Sequence, residues 1–106
     1  MGIRLFNERQ FFECHEVLED EWRREREPRR LFLQALIHIA VGCLHFERGN
    51  PAGARGQFRK GLRKLRAYLP SCEGMDTARL HAETTAVLHR IEAGAEAIEY
   101  PLLHTT

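Results

Sequence analysis

His15 stands one helical turn before Glu19 and directly before Glu16 in the segment Phe11-Phe12-Glu13-Cys14-His15-Glu16-Val17-Leu18-Glu19-Asp20-Glu21-Trp22. Read as a helix at about 100° per residue, the segment puts Phe11, His15, Leu18 and Trp22 on one stripe, so the imidazole lies on the apolar face. Glu19 falls at the edge of that stripe, and Glu16 lies farther round the same flank. A histidine on a face that should be dry has to be hydrogen-bonded, paired or metal-bound. Imidazole beside carboxylate supports two chemistries. One is proton transfer, with His15 as base, Glu19 as its orienting partner and Glu16 as a general base. The other is chelation of a divalent cation by side chains four residues apart.

A second polar set lies in the apolar stretch that follows. Gln34, His38 and His45 share a stripe, because positions 34, 38, 41 and 45 are spaced by four, three and four. If the helices carrying these two sets pack antiparallel, the stripe faces His15 and Glu19. The expected site is then a polar pocket inside a bundle. Its ligand-binding residues are His15, Glu19, Gln34 and Trp22, and its metal ligands, for zinc, manganese or iron, are His15, Glu19, His38 and His45. Trp22 and Phe11 also serve as core anchors, and a nearby glutamate is expected to accept from the Trp22 indole N–H. The competing reading is a satisfied polar network in which His15 donates to Glu19 and Gln34 bridges helices to fix register. His15-Glu16-Val17-Leu18-Glu19 also resembles the zincin HExxH helix. A carboxylate stands where that motif needs its second histidine, which argues against metalloprotease chemistry.

Four helices are predicted to position these residues. The first spans residues 8–24, with Asn7 as N-cap, Gln10 in the capping-box position and Phe6 and Phe11 placed as a hydrophobic staple. The second spans residues 29–47 and is apolar nearly all round, which places it at the centre of a bundle or at an oligomer interface. Gly49-Asn50-Pro51 then supplies a C′ glycine, an N-cap and an N1 proline in succession. The third helix spans residues 51–68, with Ala54, Phe58, Gly61, Leu62, Leu65 and Leu69 inward and Arg55, Arg59, Lys60, Arg63, Lys64 and Arg66 on its other faces. Residues 71–76 read as a loop, and Asp76 caps a fourth helix over residues 77–98 that Pro101 closes, leaving a short tail. No segment shows sustained period-2 alternation. The fold class is all-α, a single-domain antiparallel helical bundle of about four helices.

Composition narrows the function classes. The chain has 106 residues, with 16 Lys plus Arg against 15 Asp plus Glu, a net charge of +1. That balance gives no global attraction to nucleic acid or to an anionic membrane. The basic run at residues 55–66 lacks interleaved exposed aromatics and reads as a solvated face, or as a surface pairing with the acidic first helix. Cys14, Cys43 and Cys72 form no CxxC pair, which excludes zinc-finger and thioredoxin readings. An odd cysteine count without a signal segment points to a reducing cytoplasm. The longest apolar run, around Ile37 to Leu44, is interrupted by His38 and is too short to span a bilayer. The stretch from Gly49-Asn50-Pro51 through Ala54 and Phe58 to Gly61-Leu62 resembles the second half of a tetratricopeptide unit, without a second copy at the repeat period.

Phe6-Asn7, the run Phe12-Glu13-Cys14-His15-Glu16-Val17-Leu18-Glu19 with Trp22, the run Phe32-Leu33-Gln34-Ala35-Leu36-Ile37, and His45 with Arg48-Gly49-Asn50 together resemble the small all-helical domain-of-unknown-function family 309. The resemblance covers about residues 5–70. It implies a helical bundle of the kind found as short bacterial or archaeal proteins, and the family's name assigns no reaction. His38 departs from the glutamine or apolar residue expected of relatives, whereas His15, Glu16, Glu19 and Gln34 match. Two functions are expected: a small-ligand or metal site in the bundle, or a non-enzymatic interaction module or homodimer that uses the apolar second helix and the basic third helix.

Overall fold

The computed structural model describes residues 2–106. Five helices follow in order: α1 (Ile3–Asn7), α2 (Phe11–Arg24), α3 (Arg29–Glu47), α4 (Pro51–Leu65) and α5 (Thr77–Glu92). A short 3-10 turn, Arg66–Tyr68, extends α4, and a hairpin of β1 (Ser71–Cys72) and β2 (Met75–Asp76) precedes α5. The all-α bundle expected from the sequence is the architecture found.

α3 is the central helix. Phe32, Leu33, Ala35, Leu36, Ile39, Ala40, Gly42 and Cys43 are all buried, because α2 packs on one side of it and α4 on the other. By length and composition α3 is apolar enough to cross a membrane, but these eight residues belong to the core of the bundle. The core continues through Phe11 and Leu18 of α2, Phe58 and Leu65 of α4, and Leu80, Val87 and Ile91 of α5. Two glycines bring α4 close against α3. A Cβ on Gly42 would come 2.7 Å from the Phe58 ring, and one on Gly61 would come 3.1 Å from the Ala35 carbonyl oxygen.

Helix ends account for most differences from the sequence reading. The expected single first helix is split into α1 and α2. Asn7 is the last residue of α1 rather than an N-cap. Its side chain donates to the Leu103 carbonyl at 2.9 Å and accepts from the Leu103 N–H at 2.7 Å, pinning the C-terminal tail. α1 closes with Arg9 in the left-handed region (φ 61°), where Arg9 N–H bonds the Phe6 carbonyl and Gln10 N–H bonds the Leu5 carbonyl. That is the Schellman pattern, with arginine in the position glycine usually takes. Gln10 then precedes α2 without a side-chain cap bond. The Phe6 and Phe11 rings still meet edge-to-face, with centroids 5.4 Å apart, so the staple contact forms without the expected cap.

The same motif ends α3 at Gly49 and α5 at Gly94. Gly94 is why α5 stops at Glu92 and not near residue 98. Asn50 and Asp76 cap α4 and α5, accepting from Gly53 N–H at 3.0 Å and Arg79 N–H at 2.9 Å. The expected loop at residues 71–76 is the β1–β2 hairpin, paired Ser71 with Asp76 and Cys72 with Met75. Its turn residues Glu73 and Gly74 both have positive φ, as a type I′ turn requires. The tail is no loose end: Thr105 bridges Met75, and Leu103 is buried. Arg29 ties the connections together, bonding Glu25 at 2.6 Å, Glu21 at 3.2 Å and Glu73 at 2.9 Å. Those acidic partners raise its pKa further.

Candidate functional site

α2 lies against α3 with its 15, 19, 22 stripe toward the 34, 38, 41 stripe of α3, and Gln57 of α4 closes the third side. His15, Glu19, Trp22, Gln34, Ile37, His38, Val41 and Gln57 line one cavity of about 290 Å³. Pockets for small molecules run from about 300 to 1,000 Å³, so its occupant would be small. Two imidazoles, one carboxylate and two carboxamides face it together with an indole and two aliphatic side chains.

His15 Nε2 is 2.7 Å from Glu19 Oε2, and Glu19 Oε1 accepts from Arg23 Nη2 at 3.3 Å. The pair is partly open to solvent, with side chains 28% and 31% exposed, so it can be reached by a ligand. At that separation the carboxylate can orient the imidazole, as an acid–base pair requires. The Arg30 guanidinium stacks over the Trp22 ring at 3.9 Å and fixes its plane. Among the described residues no glutamate accepts from the Trp22 N–H; the backbone carbonyl of Trp22 instead accepts from Arg30 at 3.3 Å.

His38 is held from both sides by α4. Its Nδ1 lies 2.7 Å from Gln57 Oε1, and its Nε2 lies 2.8 Å from Lys64 Nζ. The amide oxygen only accepts, so Nδ1 carries the proton and Nε2 presents its lone pair to the ammonium. Burial first, then the positive charges of Lys64, Lys60 and Arg63, push the His38 pKa below its ordinary value, against a raising contribution from Gln57. His38 is therefore neutral at pH 7.

Two expected site residues lie elsewhere. His45 is bonded through Nδ1 to the Asn50 side chain at 3.1 Å, at the α3–α4 turn. Glu16 is exposed and stands outside the cavity on a neighbouring groove that His15 and Glu19 also line, together with Phe12, Val17, Asp20 and Arg23. The expected four-residue metal set of His15, Glu19, His38 and His45 is thus not assembled. Among the described residues no group of three or more His, Cys, Asp or Glu side chains stands ready to hold a metal ion. The physical reason is spacing: His38 and His45 are seven residues apart, two turns along α3, and His45 reaches past the end of the cavity to the α4 cap.

Gln57 and Lys64 were not foreseen. Lys64 was assigned to the outer faces of its helix, yet it is half-buried against His38. Gln57, Gly61 and Lys64 form a stripe spaced by four and three, with the glycine at the point of closest approach to α3. Polar residues one turn either side of a packing glycine are the signal that could have found them.

A family model described as "Domain of unknown function (DUF309)" matches residues 1–57. All eight residues that line the cavity fall within that span. The chain is similar to the uncharacterized protein YpuF of Bacillus subtilis (strain 168), 34% identical over 87 residues, which is 79% of this chain and 50% of the relative. The chain thus spans about half the length of that relative.

Proposed function

The chain belongs to the DUF309 family, and we propose that it binds a small polar ligand in the cleft between α2, α3 and α4, with the His15–Glu19 pair placed to exchange a proton with it. The carrying observation is convergence: His15, Glu19, Gln34, His38 and Gln57, from three helices, border one cavity of about 290 Å³ walled by Trp22, Ile37 and Val41. An apolar pocket with a few converging polar groups is the usual form of a ligand site. A purely structural network closes on its own members, whereas this one surrounds a space and leaves the His15–Glu19 pair about a third exposed. Gln34 and Gln57 supply hydrogen bonds that set ligand orientation, Trp22 supplies a flat apolar wall, and His15 supplies the base. Self-association through α3 has less apolar surface to draw on than the sequence alone suggests, because eight of its residues are buried within the chain.

The test is a screen of small polar fragments by ¹H–¹⁵N NMR. Binders should move the amides and side chains of His15, Gln34, His38 and Gln57 together. Gln34→Ala and His15→Ala should each weaken binding by about tenfold, the scale of one lost hydrogen bond to a ligand, with the melting transition still cooperative. Fragments that move residues scattered over other faces, or that bind both variants as well as the parent, would refute the assignment.

A further inference from the structure

Lys64 is an ammonium without an anion. Its Nζ leans on the neutral His38 Nε2 at 2.8 Å, and among the described residues no carboxylate pairs with Lys64, Lys60 or Arg63. The neighbouring charges repeat its sign, since Lys60 and Arg63 both act on His38 and on Lys64 itself. The acids of α2 do not neutralise this corner: Glu19 is taken by His15 and Arg23, and Asp20 by Arg24. The His38 end of the cleft therefore carries the Lys64 ammonium, with the like charges of Lys60 and Arg63 nearby on α4. Trp22 of α2 with Ile37 and Val41 of α3 give the same cavity its apolar lining.

We propose that the ligand of this cleft carries an anionic oxygen group, a phosphate or carboxylate, that seats at the Lys64–His38 corner while its apolar body lies against Trp22, Ile37 and Val41. The inference rests on the cleft being the binding site and adds the chemical class of what it takes. An anion at this corner would accept from Lys64 and draw a proton onto His38, replacing an ammonium–imidazole contact by charge-assisted hydrogen bonds. A nucleic acid backbone is the less suited source of such oxygens. The chain's net charge is only +1, and the aromatic of α4, Phe58, is buried and unable to stack on bases.

The test compares phenyl phosphate, benzoate and the uncharged benzyl alcohol by ¹H–¹⁵N NMR, with the His38 ring followed through a pH titration. At least one of the two anions should bind ten or more times tighter than benzyl alcohol and raise the His38 pKa, and which one does so separates phosphate from carboxylate recognition. Lys64→Gln should remove about tenfold of that anion's affinity and leave benzyl alcohol unchanged, and Lys64→Arg should restore most of the loss. Equal binding of the alcohol and both anions in the cleft would overturn the anion assignment while leaving the cleft as a ligand site. Failure of all three probes to perturb the cleft would count against both. Anion-induced shifts confined to the outer face of α4 around Arg55 and Lys60, with a single-stranded oligonucleotide bound more tightly there, would replace the proposal by a nucleic-acid surface.

Discussion

Gly61→Ala should weaken the protein, and Gly56→Ala on the same helix should strengthen it. Both substitutions gain the helix preference of alanine over glycine, about 1 kcal/mol. At Gly56 an added Cβ meets nothing within 4 Å, so the gain stands, at about 0.4–1 kcal/mol. At Gly61 the Cβ would lie 2.8 Å from Ile39 Cγ1, 3.1 Å from the Ala35 carbonyl oxygen and 3.2 Å from His38 Cβ. Two of these neighbours belong to, or adjoin, the backbone of the central helix and cannot turn aside. Overpacking of this kind costs about 1–3 kcal/mol, so the net effect runs from near neutral to a loss of about 2 kcal/mol. The two variants should differ by about 1–3 kcal/mol in favour of Gly56→Ala, the propensity gain cancelling between them. Urea titration reads this as a difference in midpoint at constant m-value. Because the clash includes His38, Gly61→Ala should also shift the His38 ring resonances, and Gly56→Ala should not. Equal stabilisation by both substitutions would refute the close α3–α4 approach on which the cleft geometry depends.

Other consequences are as direct. Burial pushes the Cys14 thiol up to about 12, and its Sγ lies 3.3 Å from the Gly2 carbonyl oxygen; Cys43 is likewise buried and raised. A thiol reagent at pH 8 should therefore modify Cys72 first and reach the other two only on global unfolding; three equal rates would contradict this packing. His38 is held neutral below its ordinary value of 6.5, so the unfolded chain binds more protons in that window. Its contribution to stability is complete above about pH 6.5 and is lost as pH falls through the lower folded value. Melting temperature should drop over this range, and less steeply in His38→Gln; His81, lowered in the same direction, keeps part of the slope. An unchanged slope in His38→Gln would show that the imidazole is not held neutral. Asn7→Ala removes both bonds to Leu103 and should cost about 1–3 kcal/mol, with faster hydrogen exchange at Leu103; an unaltered exchange rate would show that the tail is held by other contacts.

Much of the site could be read from helical spacing. A stripe at 15, 19 and 22 and another at 34, 38 and 41 must face each other once two successive helices pack antiparallel, and the cavity lies where they meet. The boundary at Gly49-Asn50-Pro51 was legible because three residues, each with its own backbone requirement, stand in sequence there. Elsewhere local signals competed with tertiary contacts. Asn7 has the side chain of a cap, but Leu103, 96 positions away, offers it two hydrogen bonds, and no local pattern reveals that partner. Arg9 in the left-handed region broke the first helix without a glycine to announce it. Two-residue strands are too short to show alternation, so the β1–β2 hairpin read as loop. Lys64 looked like one more cation on a basic face, and only the approach of α4 at Gly61 turns it toward His38. The four-ligand metal set failed for a geometric reason: sharing a stripe is necessary for chelation, but His45 lies beyond the end of the cavity and is tied to Asn50.

The central claim is that the α2–α3–α4 cleft holds a small ligand. Native mass spectrometry of the protein incubated with a desalted bacterial metabolite extract, beside Gln34→Ala, tests it most directly. The account predicts a one-to-one adduct of small mass on the parent protein that is lost or weakened about tenfold in the variant. The same adduct on both proteins, or none on either, would contradict it.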